Sequence, residues 1–124
     1  MVLDASAVLA FLHAEPGAET VREVLEGAII SVVNWSEVVH KSLQRKVDVA
    51  GMQEEFFHSG LIFEPFSLAH AQITALLYSE TSRYGLSLAD RACLALAIER
   101  KEPVLTADRV WAKLKLDIPV IILR

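Results

Sequence analysis

Four carboxylates each fall close behind a short apolar run. Asp4 follows Met1 to Leu3, and Glu37 comes just after AIISVV. Asp90 lies in SLADRACLALAIER, and Asp108 follows PVL in LTADRVW. An acid in such a place has an ordinary use, because short polar side chains cap helix N-termini. Ser87-x-x-Asp90 and Asn34-x-x-Glu37 both read as capping boxes, in which two side chains reciprocally satisfy unpaired backbone N–H groups. Asp4 can cap a first helix, and Thr106 or Asp108 the short helix RVWAKL. Capping does not account for Asp90 in full. Its helix carries Leu88, Ala89, Ala92, Cys93, Leu94, Ala95, Leu96, Ala97 and Ile98 nearly all the way round, and such a helix is buried. Leu86 and Leu94 stand four residues to either side of the acid, where helical neighbours touch. Two carboxylates about 5 Å apart repel by roughly 3 kcal/mol at an effective dielectric of about 20. A cluster of four must therefore hold protons or a cation. Oxygen donors suit a hard ion, Mg²⁺ or Mn²⁺. Such an ion polarises a phosphoryl group and activates water, so the chemistry implied is hydrolysis of a phosphodiester.

The elements that must gather these residues are legible in outline. Met1–Leu3, AIISVV (residues 28–33), Leu61–Phe63, Pro103–Leu105 and Pro119–Leu123 read as short strands that are apolar throughout. Helical patterns separate them: Ala5 to His13, a stripe of Val21, Val24, Leu25 and Ala28, Asn34 to Lys46 with Trp35, Val38, Val39 and Leu43 inward, Val47 to Ser59, Ser67 to Arg83, Ser87 to Arg100 and Arg109 to Leu114. Apolar strands alternating with helices predict a three-layer α/β/α domain over residues 1–124, with a central, mainly parallel sheet of about four to five strands. Asp4, Glu37 and Asp108 then fall at the carboxyl ends of strands, where open α/β sheets bind ligands. Asp90 joins them because its helix leads directly into a parallel strand and so runs antiparallel to it. The helix before it must then carry the chain back to that edge.

Composition excludes several classes. At 124 residues and 53% apolar, the chain is long enough and greasy enough for a real core. No apolar run is long enough to span a bilayer. MVLDAS has no basic segment leading an apolar one, so no secretory signal is expected. The lone Cys93 reads as a small core residue and cannot form an internal disulfide, which fits the cytoplasm. A net charge of −4 argues against a general nucleic-acid binder, though not against an enzyme that touches a few phosphates.

The ordered set of motifs resembles PIN-domain ribonucleases, in particular the VapC-like toxins of toxin–antitoxin pairs. The stretches that carry the resemblance are VLDASAVLAFL, SVVNWSEVV, GLSLADRACLALA, and PVLTADRVWAKL followed by IPVIIL. They run in the family's order over almost the whole chain. The resemblance implies a Mg²⁺- or Mn²⁺-dependent endoribonuclease whose acids map onto Asp4, Glu37, Asp90 and Asp108. Asp4 and Asp90 would ligate metal directly. Glu37 and Asp108 would bind a second ion or orient and deprotonate water. Ser6 and Thr106 would hold a carboxylate or a metal water from behind. The resemblance also implies an antitoxin protein as partner and a homodimer.

Among the bases, Lys41 and Arg45 lie four apart on the Glu37 helix, with Lys46 adjacent, and Arg91 and Arg109 each follow one of the acids. Lys41, Arg45, Arg91 and Arg109 are candidate phosphate contacts, set against the plainer reading of a solvated face. His13, His40, His58 and His70 lack metal spacing. Trp35, Phe56, Phe57 and Trp111 read as core, with Phe56, Phe57 and Leu61 also candidates for a dimer or antitoxin groove. A haloacid-dehalogenase-like phosphatase is the competing enzyme, but it needs an Asp where Ser6 stands. A receiver-like module needs adjacent acids after the first strand. A silent PIN-like binding module has no reason to keep four mutually repelling acids.

Overall fold

The computed structural model describes residues Met1–Arg124. Five strands, β1 (Val2–Leu3), β2 (Ile29–Ser31), β3 (Ile62–Glu64), β4 (Val104–Thr106) and β5 (Val120–Ile122), form one sheet in the order β3-β2-β1-β4-β5. Every pairing is parallel. Alternation along the strands makes both faces apolar. Leu3, Ile30 and Leu105 enter one core; Val2, Ile29 and Val104 enter the other. The first core is covered by α1 (Ala5–Leu12), α2 (Ala18–Val24), α3 (Val32–Gln44) and α4 (Met52–His58). The second is closed chiefly by α7 (Leu88–Arg100), whose residues Ala92 to Ala97 are all buried, with Trp111 and Ile118 beside it. The expected three-layer α/β/α architecture is therefore present, with five strands. The winding moves from β1 outward to β2 and β3, then returns to β4 and β5. The β1–β4 boundary is thus a topological switch point, the place where parallel α/β sheets hold ligands.

The return path before α7 is a helical hairpin. α5 (Leu68–Leu76) is capped by Ser67, whose Oγ accepts from the His70 N–H at 3.1 Å. His70 then meets Glu99 near the end of α7 at 2.9 Å, and Arg91 near its start donates to the Thr74 carbonyl at 2.9 Å. α5 therefore climbs antiparallel to α7. A short α6 (Tyr78–Thr81), a 3-10 turn at Ser82–Tyr84 and Gly85 at φ +71° turn the chain over, so α7 begins at the carboxyl edge.

Several boundaries differ from the expected ones. The expected single helix over 67–83 is broken after Leu76. At the break the buried Thr81 hydroxyl bonds back to the Leu77 carbonyl, a contact that bends helices. The helix expected over 47–59 is only α4, because Asp48 accepts from the Ala50 N–H in a turn and Gly51 takes a left-handed conformation. The second strand stops at Ser31, not Val33. Ser31 Oγ accepts from the Val33 N–H and caps α3, so Asn34 lies inside the helix and is not its cap. That shift rotates the buried stripe onto Asn34, Val38 and Ser42 and leaves Leu43 exposed. Phe57, expected in the core, is exposed as well, whereas Trp111 and Phe56 are buried.

Candidate active site

Asp4 ends β1 and caps α1 in one residue, with extended backbone and Oδ1 accepting the Ala7 N–H at 2.9 Å. It is 4% exposed. Two hydroxyls complete its surroundings. Ser6 Oγ lies 2.7 and 2.9 Å from its two oxygens, and Thr106 Oγ1 donates to Oδ2 at 2.6 Å. Thr106 is the last residue of β4, paired beside β1, so the sheet itself delivers it. The direction of these bonds is set by the backbone that follows. The Ala107 N–H donates to Ser6 Oγ at 2.9 Å and the Asp108 N–H to Thr106 Oγ1 at 3.0 Å. Each hydroxyl accepts from the main chain and has its single proton left for Asp4.

Three donors favour an ionised Asp4, yet burial outweighs them. Desolvation pushes its carboxyl up to about 6. The bonds from Thr106, Ala7 and Ser6 oppose that rise, and the charge of Asp90 adds to it. Glu37 belongs to the same electrostatic neighbourhood. Burial raises the Cys93 thiol well above its ordinary value, and the charges of Asp4, Asp90 and Glu37 raise it further. The lone cysteine, fully buried and free, thus stays a neutral thiol beneath three acids.

The charges of Asp4, Asp90 and Glu37 all act on Cys93, but each acid has its own partner. Asp90 is the N3 residue of a capping box: its Oδ2 accepts from the Ser87 N–H at 3.0 Å, and its N–H donates to Ser87 Oγ at 3.1 Å. Glu37 Oε2 pairs with Lys41 Nζ at 3.4 Å. Both keep a second oxygen outside those contacts. Asp108 stands apart. It is exposed, and its Oδ1 caps the 3-10 turn Arg109–Lys113 through the Val110 N–H at 3.0 Å. Its backbone, not its carboxylate, enters the Asp4 network. No group of three His, Cys, Asp or Glu side chains is arranged to hold a metal ion. The donor chemistry, hard oxygen on a carboxylate whose burial is uncompensated by any cation, still fits a divalent ion. Removing the Ser87 cap tests its place here: Ser87→Ala is expected to lower unfolding free energy by about 1 kcal/mol in urea titration.

The candidate phosphate contacts are differently engaged. Arg91 turns away to the Thr74 carbonyl and lies over the Tyr78 ring. Arg109 Nε donates to the Arg124 carbonyl at 2.6 Å, and Arg45 reaches Glu15 at 4.0 Å. Lys41 remains beside Glu37. Two contributors lie outside the expected site residues: the main-chain N–H groups of Ala107 and Asp108, and Asn34, expected only as a helix cap, which contacts the first turn of α7. The signal for Asn34 was its place three residues before Glu37, on the same helical side. None of the surface cavities is lined by Asp4, Glu37, Asp90 or Asp108.

Solved structures share this architecture. A toxin–antitoxin complex from Klebsiella pneumoniae superposes with a TM-score of 0.73 at 19% identity, over 99% of this chain and 97% of that one. VapBC2 from Rickettsia felis, bound to a DNA fragment from its promoter, gives 0.74 at 17% identity over 99% and 98%. FitAcB from Neisseria gonorrhoeae gives 0.59 at 21% identity over 97% and 95%. At these identities the likeness is one of fold. No curated protein sequence matches the chain. The family model of the PIN domain matches residues 1–116, so the chain, with its acids at the switch point of a five-stranded parallel sheet, belongs to the PIN domain family.

Proposed function

We propose that this protein is a Mg²⁺- or Mn²⁺-dependent endoribonuclease, the toxin of a toxin–antitoxin pair. One observation carries the reading: a buried Asp4 at the β1–β4 switch point, held by three hydrogen-bond donors and still short of positive charge. Capping uses only the bond from the Ala7 N–H and does not call for the two further hydroxyl donors on the same carboxylate. Asp4 and Asp90 are the residues that would hold the ion, with Asp108 as a further ligand if its carboxylate leaves its cap. When bound, the ion supplies Lewis acidity toward a phosphoryl oxygen and an acidified water. Ser6 and Thr106 would keep Asp4 oriented and oppose its protonation. Glu37, or Asp108 where it does not hold an ion, would orient the attacking water and accept its proton, which then passes to the departing oxygen. Arg91, Arg109, Lys41 and Arg45 are the available cations for flanking phosphates, once released from their present partners. Attack in line with the departing oxygen then cleaves the phosphodiester.

The toxin–antitoxin neighbours support an antitoxin protein as partner, and the family resemblance alone carries the homodimer. No helix is long and apolar enough to cross a membrane. The test is cleavage of a structured RNA by the purified protein with Mg²⁺ or Mn²⁺. Cleavage is expected with metal, none with EDTA, and none by Asp90→Asn. Intact RNA under all conditions, or turnover of phosphomonoesters instead, would overturn the reading.

A further inference from the structure

Asn34 is 1% exposed, in the seam between α3 and α7. Its Nδ2 donates to the Ala89 carbonyl at 2.9 Å, while its Oδ1 has no partner. A buried amide with its acceptor unused costs free energy that an apolar side chain would not. Nor does Ala89 require the contact. As the second residue of α7, its carbonyl faces the N–H four residues on, in the helix's own ladder. Stability therefore gives no reason for asparagine here.

Its position does. Asn34 precedes Glu37 by three residues, so the two lie on neighbouring positions of one side of α3. Ala89 immediately precedes Asp90 in the first turn of α7. One side chain thus joins the turn that carries Glu37 to the turn that carries Asp90, across two helices that reach this edge from opposite layers. We infer that Asn34 is a positioning residue that fixes the separation of Glu37 and Asp90. The inference rests on the metal-dependent reading of the site given above.

The experiment uses the full chain with Asn34→Leu, which matches the side chain in size, and Asn34→Ala, which adds no volume. Thermal melting is followed in EDTA and Mn²⁺ affinity by calorimetry. At least one variant is expected to melt no lower than wild type while binding Mn²⁺ roughly 10- to 100-fold more weakly, as loss of a residue supporting metal ligands does. Cleavage kcat should fall in step with that affinity. Wild-type Mn²⁺ affinity in both variants overturns the inference alone. So does a loss of affinity accompanied in both by loss of stability, since misfolding then explains it. Wild-type protein whose Mn²⁺ binding is absent, or survives Asp4→Asn, overturns the nuclease reading and this inference with it.

Discussion

Asp4→Asn is expected to melt higher than wild type in EDTA at pH 8 and to cleave RNA about 1,000-fold more slowly with metal. The rate loss follows from a ligand whose removal forfeits several kcal/mol of charge stabilisation, at about 1.4 kcal/mol per factor of ten. The stability gain follows from linkage. Asp4 titrates near 6 in the folded chain against 3.8 as its ordinary value. Between those values the folded state holds a proton that the unfolded state has released. Stability contributed by this group is therefore complete below about pH 4 and is lost as pH rises through about 6. A shift of about 2 units corresponds to roughly 3 kcal/mol. Asparagine cannot ionise, so it escapes that loss while keeping an oxygen for the Ala7 N–H. The difference in unfolding free energy between variant and wild type should grow toward the variant between pH 4 and pH 8, by up to about 3 kcal/mol. Urea titrations in EDTA across that range measure it. A pH-independent difference would mean that Asp4 is not a buried, uncompensated acid.

Much of this frame could be read from the chain. Continuously apolar strands pointed to a parallel sheet covered on both faces, and S-L-A-D announced the Ser87–Asp90 cap that the structure contains. Asp4 at a strand end and Asp90 at the head of a helix leading into β4 follow from topology. What escaped was decided by context. Ser31 sits inside the β-branched run AIISVV, whose composition favours a strand; its hydroxyl caps α3 only because the sheet ends there. Nothing in Ser67 to Arg83 signals the helix break, since neither Gly nor Pro lies in it. Asp108 reads as one of the site acids, yet its carboxylate is spent on a 3-10 turn while its N–H serves Thr106. Ser6 and Thr106 were expected behind a carboxylate, but the backbone N–H groups of Ala107 and Asp108 that complete the relay have no letter in the sequence.

That relay sets the second large expectation. Thr106→Val keeps the side-chain shape and deletes the hydroxyl that donates to Asp4 Oδ2 at 2.6 Å. A hydrogen bond to an ionised group is worth about 1.5–3 kcal/mol and one to a neutral group about half that. The cost to stability should therefore be greater at pH 8, where Asp4 is ionised, than at pH 5, where it holds its proton. The bond from Thr106 is the largest of those opposing the rise in the Asp4 carboxyl, so its loss raises that carboxyl further. Metal must then compete with a more tightly held proton, and Mn²⁺ affinity near neutral pH should drop and recover as pH is raised. A merely packing role for Thr106 predicts neither pH dependence. Equal destabilisation at pH 5 and pH 8, with unchanged Mn²⁺ affinity, would leave the hydroxyl without a part in holding Asp4 ready.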